Sequence, residues 1–256
     1  MITAIIVAAG SSRRMGFDKL FAELAGRPVV AHSVAAFEAC PRVDEILIVT
    51  RDERLPDFEK MVQHEKFTKV VKLVAGGEER HLSVWNGLQS VNAGTDYIAI
   101  HDGARPLVTA ALIGKCIDLA EKEGAVSCSA PIPDTVKRAD TDGVVTESIE
   151  RSGLWAMQTP QVFSAGLILQ AYAAIIAKNE QVTDEVSAVQ RMGKKIALLR
   201  NDDWNLKITF PRDLEMAEHI LEMRNKKKTT TTTKTTATTK TTKPKTAKAA
   251  KTAKTK

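Results

Sequence analysis

Apolar residues along this chain come in two alternating textures. Short runs rich in Val, Ile and Ala recur at 2–7, 45–50, 70–74, 97–100, 125–130 and 196–199. Each has strand length and is flanked by polar or turn-forming residues. Between them lie longer stretches with apolar positions at helical spacing, at 28–39, 79–91, 109–123, 184–192 and 211–224. Pro28 and Pro211 suit the first helical position, where a missing N–H costs nothing. Thr183 or Asp184 suits the cap of the helix carrying Val186, Val189 and Gln190. Strands and helices alternating at this spacing predict an α/β fold, a mostly parallel sheet covered by helices on both faces. The rhythm breaks at 131–155, where PIPDTVKRADTDGVVTESIERSGLW reads as an extended β-arm turning at Asp142-Gly143. Such an arm suits a partner subunit, so a homodimer built through it is expected.

With 256 residues and 43% hydrophobic content, the chain can bury a substantial core. Apolar runs all fall short of the ~18–20 residues a membrane span needs, so no membrane partner is expected. The opening MITAIIVAAG lacks a basic leader and runs directly into SSRRMG, which reads as a first strand rather than a signal peptide. Net charge changes the picture only once it is divided. The formal charge is +6, yet residues 226–256 hold 11 Lys and no acid, leaving −5 on residues 1–225. A body with that balance is no electrostatic match for DNA. The Lys/Thr/Ala tail at 226–256 lacks the composition to bury a core and is expected to be disordered and dispensable for catalysis. The domain is thus placed at 1–225, with nothing foldable expected after it. A nucleic-acid-associated role, by nonspecific polyanion contact through the tail, is the competing reading from another class. Cys40, Cys116 and Cys128 are odd in number and widely spaced, which fits free thiols in a reducing cytoplasm and suggests no zinc site.

The first turn carries the strongest chemical signal. Ala8-Ala9-Gly10-Ser11-Ser12-Arg13-Arg14-Met15-Gly16, followed by Asp18-Lys19, combines small residues that let backbone N–H groups approach a polyphosphate with cations that balance it. It lacks the G-x-x-x-x-G-K-[ST] of a P-loop, and Ser12 stands where a dinucleotide fingerprint needs glycine. A second Gly turn, Gly76-Gly77-Glu78-Glu79-Arg80, leads into a helix bearing Ser83. There the two glutamates also complement the helix dipole. His101-Asp102-Gly103-Ala104-Arg105-Pro106 follows a strand end, where open α/β sheets place ligands.

Taken together, these segments resemble the 2-C-methyl-D-erythritol 4-phosphate cytidylyltransferases of the non-mevalonate isoprenoid pathway. The resemblance spans residues 2–222 and rests on seven collinear motifs: AAGSSRRMG with Lys19, GGEERHLSVWNGL, HDGARP, APIPDTVKRA, ERSGLWAMQTPQVF, TDEVSAV and NLKITFPRDL. It implies a Rossmann-like nucleotidyltransferase fold and a reaction that joins CTP to a sugar phosphate, releasing pyrophosphate. The attacking group is then already a phosphate, so the site needs charge stabilisation and alignment rather than a protein nucleophile. Mg²⁺ bridging the CTP phosphates is the expected cofactor.

The resemblance also implies roles. Arg14 and Lys19 stabilise the transition state on the CTP side. Ala8, Ala9, Gly10 and Ser12 face the nucleotide, and Gly76, Gly77, Glu78 and Ser83 surround the base. Asp102 and Arg105 line the ribose and phosphate site. Asp134, Thr135, Arg151 and Lys207 hold methylerythritol phosphate, with Arg151 and Lys207 positioning it for attack. The segment Thr183-Asp184-Glu185 is more economically a helix cap than a substrate or metal contact. Ribitol-5-phosphate cytidylyltransferase is the nearest alternative. Ala8-Ala9, the Asp-Thr-x-Lys at 134–137, Gly-Leu-Trp at 153–155 and Glu185 favour the methylerythritol enzyme.

Overall fold

Strand β1 (Ile2–Ala8) is apolar almost throughout, and its neighbours explain why: it runs parallel to β4 (Glu45–Thr50) on one side and to β6 (Tyr97–Asp102) on the other. A parallel strand covered on both faces needs apolar side chains in both directions. Ile2, Ala4, Ile6 and Ala8 point into one core layer and Ile5 into the other. Full burial of each isoleucine is worth about 1.5–3 kcal/mol. The structure, a computed structural model, describes residues 1–10 and 15–238.

The central sheet has seven strands in the order β11-β7-β10-β6-β1-β4-β5, adding β5 (Val70–Ala75), β7 (Ala125–Pro131), β10 (Trp155–Ser164) and β11 (Ala197–Arg200). Every pairing is parallel except those of β10, which runs antiparallel to both β6 and β7. Helices α1 (Val29–Glu38), α2 (Leu55–Glu65) and α4 (Ala110–Glu123) pack on one face, through residues such as Val34, Phe37, Phe58 and Ile117. Helices α3 (Arg80–Leu88), α5 (Ala165–Ala177) and α6 (Glu185–Gln190) cover the other, through Val84, Ile168, Tyr172 and Val189. The predicted mostly parallel α/β sheet with helices on both faces is therefore present. A two-residue ladder, β2 (Glu23–Leu24) with β3 (Arg27–Pro28), leads into α1.

Beyond β7 the chain folds out as a hairpin, β8 (Val136–Ala139) against β9 (Val145–Ile149). Gly143 lies in its turn at φ +82°, left-handed geometry that glycine adopts without strain. This is the expected arm and turn. Its return as β10 is a strand the hydrophobic pattern did not predict. Pro160 within AMQTPQVF argues against a continuous central strand, yet β10 forms, and the ladder to β7 shifts register between Met157 and Gln161, around that proline. A strand returning directly beside the one it left must be antiparallel, since a parallel return needs a crossover.

Two compact units are distinguished, Met1–Glu218 and His219–Lys256. The sheet and its helices belong to the first. Helix α7 (Arg212–Thr238) begins in the first and contributes residues 219–238 to the second. Residues 226–238, assigned above to a disordered tail, are helical backbone. Once a helix runs from Arg212 it needs no new nucleation, although the eight Thr among residues 226–238 are β-branched and extend it less readily than its Lys and Ala. Residues 239–256 lie outside the described ones. Among the described residues no helix is long and apolar enough to cross a membrane.

Candidate active site

The carboxyl ends of β1, β4, β5 and β6 open onto one cavity of about 570 Å³, at the point where the strand order reverses around β1. Open α/β sheets bind ligands at such a reversal, because the connections leave to opposite faces and part there. One wall is the Ala8-Ala9-Gly10 end of β1, and another is the turn Gly76–Arg80 with Ser83 on α3. Gly76 N–H donates to Thr50 O at 2.7 Å, and the Gly77 N–H donates to Ser83 Oγ at 3.1 Å. A Cβ on Gly76 would meet Ala9 Cβ at 2.7 Å and Ser83 Oγ at 2.8 Å. Only glycine lets these two walls approach so closely.

Asp102, at the end of β6, is the electrostatic centre. Its Oδ2 accepts from Lys207 Nζ at 2.8 Å, and its Oδ1 accepts from Arg80 Nε and Nη2 at 3.2 and 3.1 Å. Arg105 Nε lies 3.6 Å from Oδ2. Burial alone would raise the carboxyl's pKa. Arg80, Lys207 and Arg105 outweigh it and hold the group well below the usual carboxylate range. Arg80 is shared with Glu185, whose oxygens accept from Nη1 at 2.6 Å and Nη2 at 3.2 Å. Burial opposes its charge, but Glu185 and Asp102 raise the guanidinium above its ordinary value. His101 is fully buried, and burial pulls its pKa down to about 3. The neutral ring accepts at Nδ1 from Thr159 Oγ1 (3.0 Å) and donates from Nε2 to Arg105 O (3.3 Å), while Thr159 accepts from the Asp102 amide. This tautomer satisfies every partner.

Of the residues expected here, Ala8, Ala9, Gly10, Lys19, Gly76, Gly77, Glu78, Ser83, Asp102 and Lys207 line the cavity. Lys19 Nζ donates to Ile208 O at 2.9 Å, and Ile208 N–H donates to Ala104 O at 2.8 Å, so both lysines meet on the segment 207–208. Arg105 stays beside Asp102 but is not among the residues that line the cavity. Its side chain turns away from the cavity lining and donates to Asn205 O at 2.8 Å, fastening the 205–208 segment to the loop after β6. Asp134, Thr135 and Arg151 are exposed on the arm, outside the cavity lining; Arg151 hydrogen-bonds Pro133 O. Ser12 and Arg14 lie outside the described residues. Asp184 caps α6 through the Ser187 N–H at 3.0 Å, as expected, while Glu185 is the ion-pair partner of Arg80. Sequence reasoning missed that pair, and also Arg51, Asp52 and Glu53, which reach the cavity from the turn after β4.

Comparisons with known proteins agree with this fold. The family model for IspD, 2-C-methyl-D-erythritol 4-phosphate cytidylyltransferase, matches residues 2–223. The enzyme of that name from Bacillus mycoides is 41% identical over 228 residues, which cover 88% of this chain and all of that protein. Its namesake from Caldanaerobacter subterraneus is 42% identical over 224 residues, covering 86% and 98%. Among solved structures, 4-diphosphocytidyl-2C-methyl-D-erythritol synthase from Anaerococcus prevotii superposes with a TM-score of 0.77 at 29% identity, covering 87% of this chain and 96% of that one. The Thermus thermophilus cytidylyltransferase gives 0.71 at 26% identity, covering 85% and 98%. A family model that spans nearly the whole folded body, and relatives about 40% identical along their full length, settle the assignment: the chain belongs to the 2-C-methyl-D-erythritol 4-phosphate cytidylyltransferase family, enzymes that transfer CMP from CTP to 2-C-methyl-D-erythritol 4-phosphate.

Proposed function

We propose that the transfer proceeds here by in-line displacement. The substrate phosphate attacks the α-phosphate of CTP, a P–O bond forms there, and the bond to the leaving pyrophosphate breaks. The supporting observation is the meeting of Lys19 and Lys207 in one cavity with the Gly76–Arg80 turn. Lys19 neutralises the phosphate chain of CTP, assisted by Arg14. The Gly76-Gly77 turn, Glu78 and Ser83 surround the base, and backbone carbonyls there accept the exocyclic amine that distinguishes cytosine from uracil. Lys207 draws the second anion beside the first. Held positive charge of this kind lowers the barrier by stabilising charge as it builds in the transition state.

Mg²⁺ is proposed as the companion of the triphosphate. The reading rests on the chemistry of the substrate, whose triphosphate oxygens are hard donors of the kind Mg²⁺ prefers, while the Asp102 carboxylate is already engaged by Lys207, Arg80 and Arg105. The triphosphate oxygens would hold the ion, which, when bound, offsets charge on the phosphate chain.

Asp134, Thr135 and Arg151 on the arm are proposed to complete the sugar-phosphate site of a second copy in a homodimer. Exposed Val144 and Val145 at the tip of the same arm support burial against a partner. A cytoplasmic location is supported by the three buried cysteines, all free thiols. Purified protein with Mg²⁺, CTP and either methylerythritol phosphate or ribitol phosphate, followed by pyrophosphate release, tests the substrate. Release with the first and not the second is expected, and the reverse refutes the assignment. Mixing Arg151→Ala with Lys207→Ala subunits tests the shared site: recovery above either variant alone is expected, and no recovery removes the arm from the partner's site.

A further inference from the structure

Tyr172 is fully buried on α5, among Ile168, Ala171 and Ile175 of the same helix. In that apolar layer a phenylalanine would fill the same space without a hydroxyl to desolvate. The hydroxyl donates to Glu185 Oε1 at 3.0 Å. Glu185 is completely buried at the start of α6. Neither residue lines the cavity. Both lead to it. Glu185 binds Arg80 through two guanidinium nitrogens, Arg80 binds Asp102 Oδ1, and Asp102 Oδ2 holds the Lys207 ammonium at 2.8 Å.

We infer that Tyr172 and Glu185 are positioning residues for Lys207, acting through Arg80 and Asp102. A lysine on a flexible four-carbon stem, with its side chain 38% exposed, has many rotamers open to it. A carboxylate torsion is likewise broad and roughly two-fold. Arg80 removes that freedom by fixing Oδ1, which leaves Oδ2 turned toward Lys207. Arg80 can do so only while its own plane is fixed, and the two-nitrogen grip of Glu185 fixes it. Tyr172 then sets the carboxylate of Glu185. Burial, reinforced by the charge of Glu185, pushes the phenol pKa well up, so the hydroxyl remains a donor at neutral pH.

The inference rests on the role proposed for Lys207, and the test separates the two. Tyr172→Phe and Glu185→Gln are made alone and in combination with Lys207→Ala, and each is assayed for kcat, both KM values and thermal midpoint. Tyr172→Phe, which removes one oxygen, is expected to lower kcat/KM for methylerythritol phosphate about 3- to 30-fold and to leave KM for CTP within about twofold. Glu185→Gln should act in the same direction and more strongly. In the Lys207→Ala background neither change should lower turnover further. Equal proportional losses in both backgrounds overturn the inference, as does a lowered thermal midpoint with unchanged kcat/KM. If Lys207→Ala alone retains full turnover, the role of Lys207 fails first and the relay with it. Should Glu185→Gln fail to fold, the two Tyr172→Phe measurements decide the matter.

Discussion

Replacing Asp102 by Asn tests the electrostatic core of the site. The carboxylate has Lys207 at 2.8 Å, Arg80 at 3.1 Å and Arg105 at 3.6 Å. Asn has nearly the same shape but no charge, and its amide nitrogen must point either at Lys207 or at Arg80, setting a donor against a donor. Arg80 then keeps Glu185 as counter-charge, while Lys207 and Arg105 lose the carboxylate they face. Removing one partner from a buried ion pair costs about 3–5 kcal/mol. The lower figure is apt here, because Lys207 and Arg80 keep partial access to water. In a body of this size about 1 kcal/mol shifts the midpoint by 2–4 °C, so a drop of roughly 6–12 °C is expected in the free protein. Saturating CTP should shrink that difference, since the triphosphate returns negative charge to the cavity. Calorimetry with and without CTP reads the stability, and pyrophosphate release reads turnover, which should fall because Lys207 loses its anchor. A midpoint within about 2 °C of the parent together with unaltered turnover would refute the reasoning.

Three further outcomes follow from the same geometry. Gly76→Ala pushes a methyl to 2.7 Å from Ala9 Cβ and 2.8 Å from Ser83 Oγ; with overpacking worth about 1–3 kcal/mol, CTP affinity by titration calorimetry should fall about 5- to 150-fold while kcat at saturation is spared. Acid should weaken the wild type more than Asp102→Asn: with a folded pKa held below its ordinary 3.8, this group contributes stability above that value and loses it progressively as pH falls below it, so urea melts between about pH 4 and 2 should show the steeper slope in the wild type. Truncation after Asn225 removes all 11 tail lysines; cytidylyl transfer should survive, and any salt-sensitive retention on DNA should disappear.

How much of this was legible in the sequence depended on how local each signal was. The β-branched runs of β1 and β4 announced buried parallel strands, and the two Gly-rich turns announced two walls of the cavity. Helix α5 escaped because AGLILQAYAAIIA is apolar nearly all round, which flattens the 3.6-residue period. Helix α2 escaped because it buries only Phe58 and Met61. Strand β10 was hidden by Pro160. Arg80 and Glu185 are 105 positions apart, and no periodicity reports such a pairing. Arg105 was half legible: adjacency to Asp102 pointed to the contact it makes there, but its bond to the carbonyl of Asn205, 100 positions away, left no local trace.

Before any ligand arrives, Lys19 is satisfied by the carbonyl of Ile208 and Lys207 by Asp102. An incoming anion must therefore trade against bonds already made. A single small monoanion offers too little to win that exchange, whereas a chain of linked phosphates repays several partners at once. The resting enzyme should accordingly be indifferent to chloride or dilute inorganic phosphate and responsive to nucleotide, a discrimination that arises from occupied cations rather than vacant ones.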